Sequence, residues 1–151
     1  FPHGGKSHRD RIFTWAQKEF KNLHLMHAAG ARVPRPYHVH RNLLVMQYLG
    51  WRYRPYPMLR ELPPEEPRLF LRQLMDSVKA YHGAGLAHGD LSEYNVLNVR
   101  EQPCIIDVGQ AVPRQHPRFA ELHERDLGNI HRWFRKRLPG LELEELEAWS
   151  T

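Results

Sequence analysis

The sequence predicts an α+β fold in a single domain, and three observations support this. Apolar residues recur at helical spacing in several stretches, short apolar runs typical of strands lie between them, and a proline-rich stretch follows the first third of the chain. The length of 151 residues suits one domain better than two. We expect a smaller first part of helix and strands, then a mostly helical part containing a short β-hairpin.

The first part, residues 1–50, is predicted to contain one helix and two strands. Residues 1–9 are polar and expected to be loose, and a helix is predicted over 10–29 with Asp10 as its N-cap and Gly30 as its end. Prolines then break the chain, and strands are predicted over 37–40 and 43–49. The helix prediction rests on regularly spaced apolar residues: Phe13, Ala16, Phe20, Leu23 and Met26.

The proline-rich stretch, residues 51–64, is predicted to link the first part to the second, residues 65–151. In the second part an amphipathic helix is predicted over 65–84, and a loop follows it. The remaining predictions are strands at 96–99 and 104–107 with a turn between them, then helices at 117–138 and 142–149.

The composition is that of an ordinary globular protein. Hydrophobic residues make up 41% of the chain and charged residues 26%. No apolar run approaches the roughly 20 residues of a membrane span, so we expect no membrane contact. The single cysteine, Cys104, is expected to be a buried small side chain, with no disulfide-linked partner and a cytoplasmic location. The net charge of +5 favours phosphate-bearing partners such as nucleotides or RNA.

Three polar residues in the second part have the spacing that phosphoryl transfer requires. Asp90 precedes Asn95 by five residues, and Asp107 follows twelve residues later, after the predicted hairpin. One carboxylate can accept the proton of an attacking hydroxyl, while an amide oxygen and a second carboxylate can bind Mg²⁺. The pattern indicates a kinase-like catalytic loop followed by a metal-binding strand end.

The segments His-Gly-Asp-Leu-Ser-Glu-Tyr-Asn at 88–95 and Ile-Ile-Asp-Val-Gly-Gln at 105–110 resemble the RIO family of atypical serine/threonine protein kinases, in its first, archaeal and eukaryotic type. The resemblance extends over about residues 8–138. Further similar segments lie at 14–23, 29–36, 44–50 and 125–130.

The resemblance implies a protein-kinase-like fold, with a partial N-lobe at 1–50, a hinge at 51–64 and a C-lobe at 65–151. It also implies a role for individual residues. Asp90 would be the catalytic aspartate, Asn95 and Asp107 the Mg²⁺ ligands, and Asp107 a candidate phospho-aspartate. Glu19 would pair with the lysine that contacts the phosphates. The nucleotide-binding residues implied are Met46 as gatekeeper, Gln47 and Leu49 through their backbones, and Ser92 beside the phosphates.

The implied function is that of an ATP- and Mg²⁺-dependent kinase or ATPase linked to small ribosomal subunit maturation, with ATP and pre-ribosomal small subunit or rRNA as partners. A Gly-rich loop and the lysine strand that kinases carry are not found; Gly4-Gly5-Lys6 is too short and too close to the first helix. We therefore expect the chain to begin after the phosphate-covering strands.

Two alternatives remain open. An inactive fragment or pseudokinase-like binding module would explain the missing lysine. An aminoglycoside-type small-molecule phosphotransferase shares the His-Gly-Asp-x-x-x-x-Asn loop. Other features are expected to be structural: the basic run 132–137 as a solvated helix face, and the aromatic residues Trp15, Phe20, Trp133 and Phe134 as core.

Overall fold

The computed structural model of the chain describes residues 7–151, apart from the side chain of Phe13. The α+β class predicted from the sequence is confirmed. The predicted loose segment 1–9 lies mostly outside the described residues, as does Lys6, and His8 already belongs to a helix. The helices are α1 (His8–Ala28), α2 (Pro67–Gly83), α3 (Phe119–Phe134) and α4 (Leu143–Trp149). The strands are β1 (Pro36–His40), β2 (Leu43–Met46), β3 (Gly50–Trp51), β4 (Arg54–Pro55), β5 (Leu86–Ala87), β6 (Val96–Val99), β7 (Gln102–Ile105) and β8 (Val112–Pro113).

Helix α1 begins earlier than the sequence predicted. Ser7, rather than Asp10, is the N-cap, and its hydroxyl accepts a hydrogen bond from the Asp10 backbone N–H at 3.2 Å. Asp10 lies instead in the first turn, where its charge favours the positive end of the helix. The buried stripe of α1 mixes apolar residues such as Leu23 with two polar ones, Glu19 and Asn22.

The segment between the two parts of the chain is more ordered than a plain linker. Strands β1 and β2 pair antiparallel, and β2 ends at Met46 instead of continuing to residue 49. Strands β3 and β4 then form a second small hairpin inside the predicted hinge. After it, the chain runs beside β6, because Leu59 N–H donates to the Val96 carbonyl at 2.7 Å.

The largest hydrophobic cluster is centred on α2. This helix begins with a proline in its first turn, where a missing N–H costs nothing. Its buried face packs with α1, the β6–β7 hairpin, α3 and α4, as the apolar spacing predicted. The buried residues of α2 are Phe70, Leu71, Leu74, Met75, Ser77, Val78 and Tyr81.

Strands β6 and β7 form the predicted hairpin, with its turn at Arg100 and Glu101 rather than over four residues, and β7 ends at Ile105. Both turn residues have positive φ, 51° and 70°, as two-residue hairpin loops require. A second short pair, β5 with β8, was not predicted and lies on either side of this hairpin in sequence. It brings the start of the loop 88–95 beside the segment that follows Asp107.

The expectations for single aromatic residues are partly wrong. Trp133 and Phe134 are buried as predicted, whereas Phe20 is half-buried and Trp15 is 54% exposed. Helix α3 is also shorter than the predicted 117–138. Cys104 is buried as predicted, and this burial raises the pKa of its thiol to about 12. Within the described part of the chain, no helix is long and apolar enough to cross a bilayer.

Candidate active site

The loop between β5 and β6, residues 88–95, is closed by its own side chains. Asn95 donates from Nδ2 to the Asp90 carbonyl oxygen at 2.5 Å and lies 3.2 Å from Asp90 Oδ2. His88 is fully buried; its Nε2 lies 2.9 Å from the Ile106 carbonyl, and its Nδ1 accepts from the Asp90 N–H at 3.1 Å. The loop therefore fixes Asp90 relative to both Asn95 and the strand end that carries Asp107.

Helix α3 holds the same loop from the other side through Asp126. Its carboxylate accepts from the Gly89 N–H at 2.8 Å and from the Leu91 N–H at 3.0 Å, and it is fully buried. Burial raises the pKa of Asp126, although these two N–H groups favour the charged form. Arg125 adds a bond to the Gly89 carbonyl at 2.7 Å. The sequence singled out this segment only as similar to the family, with no role for its aspartate.

Asp107 follows the β6–β7 hairpin in an unusual backbone conformation. Its φ is 54°, in the left-handed region that L-residues other than Asn and Asp adopt rarely. Its side chain is exposed, whereas its neighbour Val108 is fully buried. The Ile106 N–H donates to the Asn95 carbonyl at 2.9 Å. Such strained positions often occur at functional sites, and this one turns the carboxylate out of the core.

Helix α1 contributes two polar side chains that reach the segment after Asp107. Glu19 Oε1 accepts from the Val108 N–H at 3.3 Å, and Asn22 donates to the Val108 carbonyl at 2.9 Å. Glu19 Oε2 is buried and has no hydrogen-bond partner among residues 7–151. Burial is the main cause that raises the pKa of Glu19, and the charge of Asp107 adds to it. One Glu19 oxygen is therefore bonded to the segment after Asp107, and the other has no partner within residues 7–151.

Two cavities adjoin at Glu19 and Asp107, which line both. One has a volume of about 260 Å³ and apolar walls that include Met46, Leu49 and Ile106. The other, of about 150 Å³, is acidic and is also lined by Asp90. Its remaining lining residues, which the sequence did not predict, are Trp15, Gly109 and Gln110. The site is therefore apolar at one end and negatively charged at the other.

Two backbone groups at the edge of the apolar cavity form no backbone hydrogen bond within the described residues. The Gln47 N–H donates to the Arg35 carbonyl at 2.8 Å, and the Leu49 carbonyl accepts from the Tyr56 N–H at 3.0 Å. Among the backbone hydrogen bonds of residues 7–151, the Gln47 carbonyl and the Leu49 N–H take no part. An acceptor and a donor two residues apart are thus available beside the cavity.

Most of the residues that the sequence singled out come together here. Asp90, Asp107 and Glu19 share the acidic cavity, and Met46, Gln47 and Leu49 line the apolar one. Ser92 lines neither of them. Its hydroxyl accepts from the Tyr94 N–H at 3.2 Å, and its carbonyl accepts from the Asn95 N–H, so it shapes the loop.

An apolar slot that opens onto acidic groups, between a helix-and-strand part and a helical part, is the cleft of a protein-kinase-like fold. Solved structures agree on this fold. The crystal structure of Rio2 kinase from Chaetomium thermophilum matches with a TM-score of 0.71 and 24% identity, over 93% of this chain and 46% of that chain. The Rio2 kinase-ADP/Mg²⁺-phosphoaspartate complex from the same organism matches with a TM-score of 0.69 and 24% identity, over 93% and 45%.

Comparison of the sequence with known proteins identifies the family within this fold. The profile of the RIO domain matches residues 2–146, so the chain belongs to the RIO domain family. The RIO-type serine/threonine-protein kinase Rio1 of Haloferax volcanii is 37% identical over 140 residues, which cover 93% of this chain and 48% of that relative. Its counterpart in Methanocaldococcus jannaschii is 35% identical, over 96% and 50%. Human serine/threonine-protein kinase RIO1 is 33% identical, over 83% and 23%.

The expected resemblance to the first RIO type is thereby confirmed. The chain spans about half the length of the Haloferax volcanii and Methanocaldococcus jannaschii relatives.

Proposed function

We propose that this chain carries the nucleotide-binding, metal-binding and catalytic residues of a RIO-type, ATP-dependent serine/threonine protein kinase or ATPase. The observation that carries the proposal is the pair of adjoining cavities that share Glu19 and Asp107. The apolar cavity suits a purine base, and the acidic one suits a metal-bound phosphate chain. Relatives named as RIO-type serine/threonine-protein kinases support the same reaction class.

The adenine base would bind between the apolar walls, against the backbone of residues 47–49. Adenine presents a donor, its amino group, beside an acceptor, its N1. The unused carbonyl of Gln47 and the unused N–H of Leu49 match this pair. Because the contacts are to the backbone, a glutamine at position 47 serves as well as other residues. Met46 lines the same cavity as the proposed gatekeeper.

The donor set at the acidic end fits Mg²⁺, which prefers oxygen ligands and keeps several waters. The Asn95 amide nitrogen is engaged with Asp90, so the amide oxygen is the atom left for a cation. We propose that this oxygen and the exposed Asp107 carboxylate hold the ion. When bound, the ion would neutralise charge on the phosphates. The unpartnered Glu19 oxygen would pair with the phosphate-contacting lysine that the family resemblance implies.

Asp90 is the proposed base that accepts the proton of an attacking hydroxyl, since its exposed carboxylate lies at the edge of the acidic cavity. Asp107 is the proposed phospho-acceptor in a self-modification step. Its carboxylate oxygen would form a bond to the γ-phosphorus of ATP while the bond to the β–γ bridging oxygen breaks and ADP leaves. A solved Rio2 complex that contains ADP, Mg²⁺ and phosphoaspartate supports this second role.

We further propose a cytoplasmic role in maturation of the small ribosomal subunit, with pre-ribosomal RNA or protein as the partner. The support is the family resemblance together with the net charge of +5, which favours contact with RNA phosphates.

The test is Mg²⁺-dependent ATP turnover and acid-labile aspartyl phosphate in the full-length protein that contains this chain. Asp90→Asn should lower turnover about 10²–10⁴-fold, the range of general-base catalysis. Asp107→Asn should abolish the aspartyl phosphate. Asp76→Asn, at an exposed position on α2, is the matched control and should change neither. Turnover that survives both site substitutions would refute the catalytic proposal.

The binding-module alternative makes a different prediction about ATP affinity. Calorimetry separates the two functions: micromolar to millimolar ATP affinity that requires Mg²⁺ supports the kinase, and no detectable ATP binding by the full-length protein supports the binding module.

A further inference from the structure

The β3–β4 hairpin carries a solvent-exposed surface that the proposed reaction does not use. We call it the hairpin surface, and it comprises Trp51, Arg52, Tyr53, Arg54 and Arg100. Tyr53 is 100% exposed and Trp51 is 60% exposed, so neither aromatic ring contributes to the core. Large aromatic rings held in water at the tip of a turn are costly unless a partner covers them. Their position therefore points to binding rather than folding.

The hairpin geometry presents these side chains together. Trp51 lies directly opposite Arg54 in the β3–β4 pairing, which places the two on the same face. Arg52 has a φ of 57°, the left-handed conformation that tight hairpins require at the first turn position. Glycine, asparagine or aspartate would adopt it more easily. An arginine there adds charge at a position where the backbone favours a smaller residue.

Two arginines lie over the Trp51 ring and have no carboxylate partners among the described residues. The guanidinium carbon lies 5.1 Å from the ring centroid for Arg100 and 6.0 Å for Arg52. Within residues 7–151 the one ion pair joins Arg118 to Glu121 at the start of α3, so the arginines of the hairpin surface form none. The nearest acid in sequence, Glu101, points its carboxylate at the N–H groups of Glu65 and Glu66. The guanidinium groups keep their capacity to bind phosphate.

A second stacked pair of the same kind lies at the other end of β6. Arg60 lies 5.0 Å from the centroid of the Tyr94 ring, which is 51% exposed. Tyr94 precedes β6 and Arg100 follows it, so the two stacked pairs are separated by about 20 Å of extended chain. An arginine therefore lies over an exposed aromatic ring at each end of β6: Arg60 over Tyr94 at one end, and Arg100 over Trp51 at the other.

We propose that the hairpin surface binds single-stranded RNA, with Trp51 and Tyr53 stacking on unpaired bases and Arg52, Arg54 and Arg100 contacting phosphates. Exposed aromatic rings in a basic surface are the features that bind single strands, because every base has a face to stack on. Duplex bases are already stacked and cannot accept these rings. The inference deepens the proposed pre-ribosomal partner and rests on it for the source of the RNA. It does not depend on ATP turnover.

The experiment is fluorescence anisotropy of the full chain, without nucleotide, against a labelled mixed-sequence RNA of about 12 nucleotides, within the site sizes of single-strand binders. The same RNA annealed into a duplex is the comparison. We expect the single strand to bind about tenfold more tightly or better. Trp51→Ala and Tyr53→Ala should each weaken binding at least about fivefold, the lower end for the loss of one base stack.

The salt dependence tests the arginines separately. Arg52→Gln combined with Arg54→Gln should reduce the slope of log affinity against log salt by about 1.4, since each phosphate contact to a single strand contributes about 0.7. Arg135→Gln combined with Lys136→Gln, two exposed residues beyond α3, is the charge-matched control and should leave the slope less changed. Thermal unfolding should be the same for all variants because these side chains are exposed.

Tyr37→Ala is the matched aromatic control. Tyr37 is 58% exposed and has Arg35 stacked on it at 5.9 Å, but it lies on β1, outside the hairpin surface. Ultraviolet crosslinking and mass spectrometry should place RNA on the peptide containing Trp51 and Tyr53. Equal binding of duplex and single strand, equal loss in Tyr37→Ala, or crosslinks only within residues 132–137 would each overturn the proposal. The proposal would also be overturned if the chain bound no RNA and a protein partner bound the hairpin surface instead.

Discussion

Replacement of Asp126 by asparagine tests whether α3 holds the catalytic loop. The two carboxylate oxygens accept from the N–H groups of Gly89 and Leu91 at 2.8 and 3.0 Å. Asparagine retains one acceptor oxygen but turns its NH₂ group toward the other N–H. A hydrogen bond to a charged group contributes about 1.5–3 kcal/mol. Because burial already disfavours the charge of Asp126, removal of that charge offsets part of the loss. We expect Asp126→Asn to lower the free energy of unfolding by about 1–2 kcal/mol.

The assay is urea and thermal unfolding followed by circular dichroism. For a chain of this size, 1 kcal/mol corresponds to about 2–4 °C, so Tm should fall by about 2–8 °C. Glu124→Gln, an exposed position on the same helix, is the control and should stay within about 0.5 kcal/mol of the wild type. Hydrogen exchange should also speed up at the Gly89 and Leu91 amides. A variant that unfolds like the control, with unchanged exchange, would refute the reasoning.

Further predictions concern stability. A methyl group at Gly109 would lie 2.5 Å from Glu19 Oε2 and 3.1 Å from Trp15 Nε1. Gly109→Ala should therefore lower the free energy of unfolding, measured in urea, by about 1–3 kcal/mol. An unchanged midpoint of urea unfolding would contradict this. The buried Tyr81 hydroxyl has no hydrogen-bond partner among the described residues, so Tyr81→Phe should leave stability unchanged or raise it by about 1 kcal/mol; a clear loss would reveal a partner. Burial lowers the pKa of His123 to about 4. Its unfolded form takes up a proton near pH 6.5, so stability should fall by about 1–2 kcal/mol, after allowance for solvent screening, as the pH drops from about 6.5 to 4. Tm measured against pH should be flatter in His123→Gln, and equal slopes would exclude His123 as the cause.

The sequence predicted the residues whose chemistry depends on local spacing. Asp90 and Asn95 lie in one loop, and Asp107 follows the next strand pair by two residues, so their separation along the chain already limits their separation in space. The helices were also predictable, because α2 buries one regular apolar face. These predictions needed no knowledge of distant contacts.

Other features depend on contacts that no local pattern records. Ser7 and Asp10 can both cap a helix, and only the surrounding structure decides between them. Strands β5 and β8 are two residues each, too short for a periodic pattern, and they pair across more than twenty residues. Trp15 lies at the edge of the buried stripe of α1, where the surface opens onto the acidic cavity. The role of Asp126 requires knowing that α3 packs beneath the catalytic loop.

The buried polar groups of the site share one physical task, which is to hold Asp107 in its left-handed conformation. A residue in that region carries a cost of about 1–3 kcal/mol and persists only where its neighbours fix it. On one side, the Ile106 carbonyl meets His88 and the Ile106 N–H meets Asn95.

On the other side of Asp107, Val108 is fixed through both of its backbone groups. Its N–H donates to Glu19 and its carbonyl accepts from Asn22. Three side chains (His88, Glu19 and Asn22) and the Asn95 backbone carbonyl therefore bond the backbone groups of the two residues that flank Asp107. Their burial would be unfavourable in a plain core, where apolar residues would pack better. It follows that the loop around Asp90 and the polar residues of α1 act together. They fix the backbone on both sides of Asp107, and its carboxylate then faces the cavity.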